Sequence, residues 1–360
     1  MRIRHARKTG VATTLIVLGA LALSGCGSDD GDTGTKAVPP LGKTLVVATH
    51  DSWGMSDAVM AEFTKQTGIT VKIARNGDAG VLTSKLVLTK GDPIADGVYG
   101  IDNTFATRAV DAGILDDYVP LVGPASRQKF KLTGAGASVL TPIDYSDVCV
   151  NVDDTWFAKN RVAPPKTLDD LLEPAYKNLL VTPGAKTSST GLAFLLATVG
   201  KYGDGWKDYW TKLVANGVKV DKDWENAYEV DFTAGGGKGD RPIVVSYSSS
   251  PPFTIPKGAT KPTTSALLDT CFRQVEYAGV LADAKNPLGM QKFIDFMSAR
   301  SFQAALPDNM YVYPVDSTVA LPDGWAAYAP VAAKPYAVDP AEVTKNRDAW
   351  LRDWSDIVTR

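Results

Sequence analysis

Histidine is nearly absent from this chain of 360 residues, which contains only His5 and His50. A zinc site built on several histidines needs more imidazoles than these two. A Ser-His-Asp hydrolase would have to use His50 as its base, and no G-x-S-x-G turn is present to carry the nucleophile. The sequence therefore favours a protein that is not an enzyme and that holds neither a catalytic metal nor a cofactor.

Runs of basic residues are also missing. The 38 Lys and Arg residues nearly balance the 40 Asp and Glu residues, so nucleic acid is not expected as a partner. A hydrophobic content of 44% with 22% charged residues excludes a disordered, collagen-like or multi-span membrane chain. The length suffices for one large domain or for two domains of ordinary size.

The first 25 residues have the pattern of a secretory signal peptide. A basic start precedes an apolar run of 13 residues, Val11 to Leu23, which is short for a transmembrane helix. The run ends in Leu23-Ser24-Gly25-Cys26, which resembles a bacterial lipobox and predicts cleavage before a lipid-modified Cys26. An ordinary secretory signal with an incidental cysteine is the alternative. The composition of residues 26–43 predicts a flexible tether. With a lipid on Cys26, we expect an anchored protein at the outer face of the cell membrane or in the periplasm.

Strands and helices alternate between residues 44 and 102. The apolar patterns predict strands at 44–49, 69–73 and 96–101, and helices at 56–67 and 81–90. This order is typical of an α/β fold with a parallel sheet covered by helices. Ligands bind beyond the carboxyl ends of such strands, where the polar clusters 50–53, 76–80 and 102–104 fall.

The pattern changes at residues 141–153, which predict one long extended segment. A helical stretch at 167–177, a helix beginning at 187–190, and strands at 179–182, 217–220, 242–247 and 272–277 follow. Two α/β lobes joined by two crossing strands fit this order. We assign residues 44–143 and 274–360 to lobe 1 and residues 144–273 to lobe 2.

Two cysteines, Cys149 and Cys271, lie beyond the N-terminal segment, near the two predicted crossings. Export places the folded body in an oxidising compartment, where an even pair favours a disulfide. Two separate buried thiols are the alternative.

Three groups of polar or aromatic residues are candidates for binding one kind of ligand. Each can also be explained by core packing, turn formation or helix capping. Together they suit a flat, partly cationic molecule, with rings for stacking, acids for positive charge, and a helix start for an oxyanion or hydroxyl. They are the aromatic residues Trp53, Trp224, Tyr228, Tyr247, Phe253 and Tyr311, the carboxylates Asp51, Asp78 and Asp102, and the Ser/Thr-rich segment 187–190.

Several short stretches, in this order and spacing, resemble the solute-binding proteins of bacterial ABC importers, and within them the thiamine-binding branch. They are Asp51-Ser52, residues 96–103, 187–192, 224–228 and 246–251, and Tyr313-Pro314-Val315 with Leu321-Pro322. The resemblance implies an α/β, two-lobed periplasmic-binding-protein-like fold of type II with two crossing strands as the hinge. It also implies a monomer that binds a small molecule between the lobes and delivers it to the permease subunits.

The resemblance implies particular ligand contacts as well. They are Asp78 with Ala79, Ser188 and Ser189, Trp224, and Tyr247 with Ser248, Ser249 and Ser250, to which the residue patterns above add Asp51, Tyr228 and Tyr311. The family carries Gly at the position of Ala79, and other aromatic residues at those of His50 and Tyr311.

Three hypotheses follow for the function. The first is a tethered receptor for thiamine or its phosphates. The second is the same fold with another solute, such as a polyamine, an organophosphonate or, less favoured because no Tyr-Tyr pair occurs, ferric iron. The third is an enzyme on a similar fold, which the scarcity of histidine disfavours.

Overall fold

The structure, a computed structural model, describes residues 40–359. The predicted signal peptide, the lipidation site Cys26 and most of the predicted tether lie outside the described residues. Among residues 40–359, no helix is both long enough and apolar enough to cross a membrane.

The described part of the chain contains ten strands and eleven α-helices, besides short 3₁₀ and π-helical segments. The strands are β1 Thr44–Thr49, β2 Thr70–Arg75, β3 Gly97–Asp102, β4 Leu115–Asp116, β5 Thr141–Asp153, β6 Leu180–Pro183, β7 Lys219–Asp221, β8 Ile243–Tyr247, β9 Thr264–Leu281 and β10 Tyr313–Pro314. The helices are α1 Asp57–Thr67, α2 Ala79–Leu88, α3 Ala106–Asp111, α4 Gly136–Val139, α5 Asp154–Asn160, α6 Ser189–Tyr202, α7 Trp206–Ala215, α8 Pro287–Ser298, α9 Arg300–Met310, α10 Trp325–Tyr328 and α11 Pro340–Val358.

One mixed sheet runs through the described residues in the order β2-β1-β3-β9-β5-β8-β6-β7. At one end β1 pairs in parallel with β2 and β3, and at the other β6 pairs in parallel with β7 and β8. The parallel strand–helix order predicted from residues 44–102 is therefore confirmed. The carboxyl ends of these parallel strands are where polar loops can meet a ligand.

The long strands β5 and β9 connect the two parallel parts of the sheet. They pair with each other in antiparallel fashion from Thr141 opposite Ala278 to Asp153 opposite Thr264. On their other edges, β9 pairs with β3 through residues 276–280, and β5 pairs with β8 through residues 148–152. These two strands correspond to the predicted crossings.

Cys149 on β5 and Cys271 on β9 form a disulfide in the structure. Both residues are buried, and they are 122 residues apart in sequence. The bond therefore ties the two crossing strands to each other.

Reduction of this disulfide is expected to lower the free energy of unfolding by about 2–4 kcal/mol, because the bond restricts a long loop of the unfolded chain. Denaturant unfolding of residues 27–360 with and without reductant measures the change, and a Cys149→Ala/Cys271→Ala double variant should not respond to reductant. Mass analysis after alkylation without reductant gives the direct test. Two alkylated thiols in the folded protein would show that the bond is absent.

Two local predictions differ from the structure. Residues 167–177, predicted as helical, form only short 3₁₀ turns at Asp170–Leu172 and Pro174–Tyr176, because Pro174 lacks an amide hydrogen and clashes with a preceding helical turn. The charged residues on both sides of Trp224 are typical of a turn, but the structure has a π-helical segment directly after it, Asn226–Asp231.

The C-terminal helix α11 packs against α7. Trp354 of α11 meets Trp210 of α7 edge to face, with 5.6 Å between ring centroids, and Lys207 pairs with Asp353. The predicted division assigned α11 to lobe 1 and α7 to lobe 2, so this packing places the C-terminal helix beside the residues of lobe 2. The remaining lobe boundaries stay a prediction.

Candidate ligand-binding cavity

A cavity of about 330 Å³ lies at the carboxyl ends of parallel strands from both parts of the sheet. One side is formed by the loop after β1, the start of α2 and the end of α9, and the other by residues 224–229, the end of β8 and the loop that follows it. Nine predicted site residues line it: Asp51, Asp78, Ala79, Ser189, Trp224, Tyr228, Tyr247, Ser250 and Tyr311. The structure thus brings together most of the predicted candidates.

Three predicted contact residues, Ser188, Ser248 and Ser249, do not line the cavity. All three are fully buried. The Ser188 hydroxyl bonds to Thr190 Oγ1 at 3.0 Å, and the Ser249 hydroxyl bonds to Ser146 Oγ at 2.9 Å, whereas the Ser248 amide donates to Asp147 O at 2.7 Å. All three therefore make contacts within the protein and do not line the cavity, although the Ser188 hydroxyl also acts on the cavity carboxylate Asp78.

Sequence reasoning missed several cavity residues, notably Glu225, Glu229, Glu276, Asn309 and Met310. For Glu276 a signal was available, because this acid belongs to the predicted strand 272–277 and is followed by the uncharged, mostly apolar residues 277–281. A carboxylate in a buried strand needs a partner, which points to a polar cluster nearby.

One wall of the cavity consists of aromatic rings. Trp224 is half-buried and stacks on Tyr228, with 5.0 Å between ring centroids and an interplanar angle of 16°. Its indole Nε1 donates to Ser246 Oγ at 2.9 Å, which fixes the orientation of the ring, and Tyr247 lies 6.1 Å away. A flat ligand ring can stack on such a wall.

A glycine-rich loop, residues 235–239, supports the segment that carries this wall. A Cβ on Gly235 would overlap the carbonyl oxygen of Tyr228, and one on Gly237 would lie 2.6 Å from the oxygen of Glu229. Only residues without a side chain allow this close approach of two backbone segments. The glycines therefore position Tyr228 and, through it, Trp224.

Asp78 lies at the start of α2 and bridges the two sides of the cavity. Its Oδ1 accepts a hydrogen bond from the amide of Ala79 at 2.7 Å, and its Oδ2 accepts one from the amide of Trp224 at 3.2 Å. Burial raises the pKa of Asp78, while the Ser188 hydroxyl and these two amides act in the opposite direction. The residue is thus both a helix cap and a cavity carboxylate.

The floor of the cavity contains an ion pair between His50 and Glu276. The His50 Nε2 atom lies 3.3 Å from Glu276 Oε1, and both side chains are buried. Burial alone would lower the pKa of His50, but the charge and hydrogen bond of Glu276 outweigh it and raise the pKa. The contact with Glu276 therefore favours the protonated form of His50.

Beneath this pair, Tyr99 lies between two carboxyl groups. Its hydroxyl oxygen is 2.7 Å from Asp144 Oδ2 and 2.9 Å from Glu276 Oε2. Burial, and then the charge of Glu276, raise the pKa of Asp144 well above its ordinary value. Burial acts to raise the pKa of Glu276 as well, but the charge and hydrogen bond of His50 outweigh it and lower that pKa, so the negative charge is favoured on Glu276 over Asp144.

The charged side chains of the cavity lining are mostly acidic. Asp51, Asp78, Glu225, Glu229 and Glu276 line it, whereas His50 is the single basic residue among the lining side chains, which include neither Lys nor Arg. A cation that also offers a flat ring satisfies both this charge and the aromatic wall. The described residues contain no cluster of potential metal ligands.

Contacts across the cavity hold its two sides together. The Gly80 amide donates to Thr187 O at 3.0 Å, and the Ser52 hydroxyl donates to Glu225 Oε1 at 3.4 Å. The rings of Phe253 and Tyr311 also meet across the opening. The cavity is therefore in a closed arrangement.

Comparison with known proteins places this geometry in a family. The family model for bacterial extracellular solute-binding proteins matches residues 92–336. The thiamine-binding periplasmic protein of Salmonella typhimurium is 30% identical over 90% of this chain and 96% of its own length. Its Escherichia coli counterpart is 30% identical over 88% of this chain and 94% of its own.

Solved structures of periplasmic binding proteins are also similar to this chain. A periplasmic thiamin binding protein superimposes with a TM-score of 0.76 at 29% identity, covering 90% of this chain and all of its own. The periplasmic binding protein P5PA, at 16% identity and a TM-score of 0.70, covers 88% of this chain and all of its own and shares the fold. The periplasmic-binding-protein-like fold and the resemblance predicted from the sequence are confirmed. The chain belongs to the family of bacterial extracellular solute-binding proteins.

Proposed function

We propose that this protein captures thiamine or a thiamine phosphate in the cavity and delivers it to the permease of an ABC importer. The observation that carries the proposal is the combination of the Trp224–Tyr228–Tyr247 wall with an acidic lining free of Lys and Arg. Thiamine has two flat rings, one of which carries a permanent positive charge. Stacking and cation–π contact would hold the rings, and the carboxylates would neutralise the charge. Relatives named for thiamine binding, similar along almost the whole chain, support the same ligand.

The wider role follows from this proposal. The protein acts as a carrier and not as a catalyst, binds its ligand without a metal or cofactor, and works as a monomer. The lipobox-like sequence at Cys26 would anchor it at the outer face of the membrane or in the periplasm, close to the permease.

Titration of residues 27–360 with thiamine, followed by tryptophan fluorescence and by calorimetry, tests the proposal. Saturable binding is expected. It should change the tryptophan fluorescence, because Trp53 and Trp224 both line the cavity. The matched control is 4-amino-5-hydroxymethyl-2-methylpyrimidine, the uncharged ring of thiamine, which should bind far more weakly because it lacks the cation. Absence of any response to thiamine or its phosphates would contradict the proposal.

A polyamine is the second candidate, because an acidic cavity also suits a flexible polycation. Spermidine lacks flat rings and would leave the aromatic wall unused. A parallel titration with spermidine separates the two, since saturable binding of spermidine without binding of thiamine would favour this candidate.

Ligand binding is expected to favour the closed arrangement over an open one. Cavity residues of one side, such as Asp51 and Asp78, cannot surround a ring without Trp224 and Tyr247 of the other. A ligand that contacts both sides stabilises the closed state through its higher affinity for it. Solution X-ray scattering should therefore give a smaller radius of gyration with ligand than without. An unchanged radius at confirmed saturation would show that the two lobes do not move on binding.

A further inference from the structure

Beyond β5 and β9, the chain connects the two parallel parts of the sheet a third time, near its C-terminus. Strand β10 pairs with Asp144 and Tyr145 near the start of β5, and the Val315 amide donates to Ile143 O at 3.4 Å. This part of β5 pairs with the portion of β9 that lies against β3. The third connection therefore begins beside the part of the sheet that contains β1, β2 and β3.

The same connection ends on the other part of the sheet, which contains β6, β7 and β8. A Cβ on Gly200 of α6 would lie 2.8 Å from Ala337 O, so the chain runs directly against this helix. Helix α6 packs against β6 and β8, and α11 packs on α7, where Trp354 meets Trp210. Each end of the C-terminal segment is thus attached to a different part of the sheet.

Between these two ends, a buried ion pair of the crossing strands holds the segment. Asp147 on β5 is fully buried and pairs with Arg273 on β9, at 2.6 Å between Nε and Oδ1 and 2.9 Å between Nη2 and Oδ2. The Ala332 amide donates to the same Oδ2 at 2.7 Å, and Arg273 Nη2 donates to Ala332 O at 3.2 Å. Four residues later, the Tyr336 amide donates to Cys271 O at 2.7 Å. The segment is therefore fastened to both crossing strands.

Asp147 keeps the segment attached to the strands. A fully buried carboxylate is tolerated only when hydrogen-bond donors satisfy its oxygens. Two N–H groups of Arg273 and the Ala332 amide supply these donors in the structure. Detachment of the segment would remove one donor and would also separate the Arg273 guanidinium from the Ala332 carbonyl. The segment is therefore expected to stay fastened to β5 and β9 when the cavity opens.

We propose that residues 332–336 form a third crossing between the two lobes and that this crossing limits how far the cavity opens. Opening rotates one side of the cavity away from the other about β5 and β9. A segment whose ends are packed on opposite sides resists wide opening, because a chain can extend by at most about 3.3–3.6 Å per residue. Restricting the open state raises the fraction of closed, binding-competent protein, and with it the affinity for a ligand that contacts both sides.

A protease site inserted between Ala333 and Lys334, two exposed residues, tests this inference in residues 27–360. Cleavage breaks the third crossing and leaves α11 packed on α7. Compared with the same protein before cleavage, the ligand-free radius of gyration from solution X-ray scattering should increase. The affinity for thiamine, which rests on the proposed function, should fall about three- to tenfold, because less of the protein is closed. The radius with bound thiamine should stay the same.

The matched control carries the same site between Gly91 and Asp92, two exposed residues of the loop between α2 and β3. This loop joins elements of one part of the sheet, so its cleavage should change neither the radius nor the affinity. An unchanged ligand-free radius or an unchanged affinity after cleavage at 333–334 would overturn the inference. Loss of the C-terminal fragment on gel filtration would overturn it too, since that end would then lack a firm attachment. Absence of thiamine binding before cleavage would contradict the proposed function, while the ligand-free radius would still test the crossing.

Discussion

Thiamine binding is expected to weaken by about ten- to a hundredfold in Trp224→Ala. The half-buried indole stacks on Tyr228 and faces the cavity, and a stacking and cation–π contact contributes on the order of 1–3 kcal/mol. Calorimetry is the suitable measurement, because the substitution removes a tryptophan from the fluorescence signal. Trp224→Phe keeps a flat ring but loses the hydrogen bond to Ser246, and should be intermediate.

The matched control for Trp224→Ala is Trp156→Ala. Trp156 is also half-buried and lies on α5, where it meets Phe157 edge to face and does not line the cavity. This variant should keep the affinity of the parent. If Trp224→Ala binds as well as the parent while both variants remain folded, the indole serves packing alone.

Gly80→Ala is expected to weaken binding by about tenfold or more, without unfolding the protein. A Cβ at this position would lie 2.6 Å from Lys186 O and 2.9 Å from Thr187 C, so the backbone across the cavity could not approach to form the closed arrangement. In an open arrangement those atoms move away, and alanine is a better helix former than glycine in α2. The expected result is therefore lower affinity with little change in melting temperature.

The Cβ of Gly80→Ala would also lie 2.8 Å from the end of the Phe105 ring, which must shift slightly in any arrangement. The melting temperature reports this contact, whereas the affinity and the ligand-induced change in radius of gyration report closure. Gly205→Ala, whose Cβ would meet only Tyr202 at 3.8 Å, is the matched control and should change neither. Full affinity and full compaction in Gly80→Ala would show that the contact with residues 186–187 is not needed for closure.

Local patterns account for the predictions that the structure confirms. The spacing of apolar residues in 44–102, every second residue in strands and every third or fourth in helices, predicted the strand–helix order. This spacing depends only on which side of each element is buried. Helix α1 shows this well, since Ser56 precedes its first residue and Gly68 ends it with φ of 72°. Trp224 was found by a similar local signal, a large ring within a charged stretch.

Contacts between distant residues explain where the structure differs from the sequence-based expectations. Ser248 and Ser249 lie next to Ser250, yet only Ser250 lines the cavity, because Asp147 and Ser146 on β5 hold the other two. The placement of α11 on α7 likewise depends on the contact between Trp354 and Trp210. The hydrophobic periodicity of each helix does not identify the helix against which it packs.

The sequence by itself determined the α/β class, the order of most elements, the cysteine pair and most of the aromatic and acidic candidates. These properties follow from periodicity, turn residues and composition, which act over a few residues. Only the tertiary structure decided that Glu276 holds His50 at the cavity floor, that Asp78 caps α2 while bonding to Trp224, and that Gly80 allows the two sides to meet. The physical reason is that charge pairing, burial and backbone approach act between residues that lie close together only after the chain has folded.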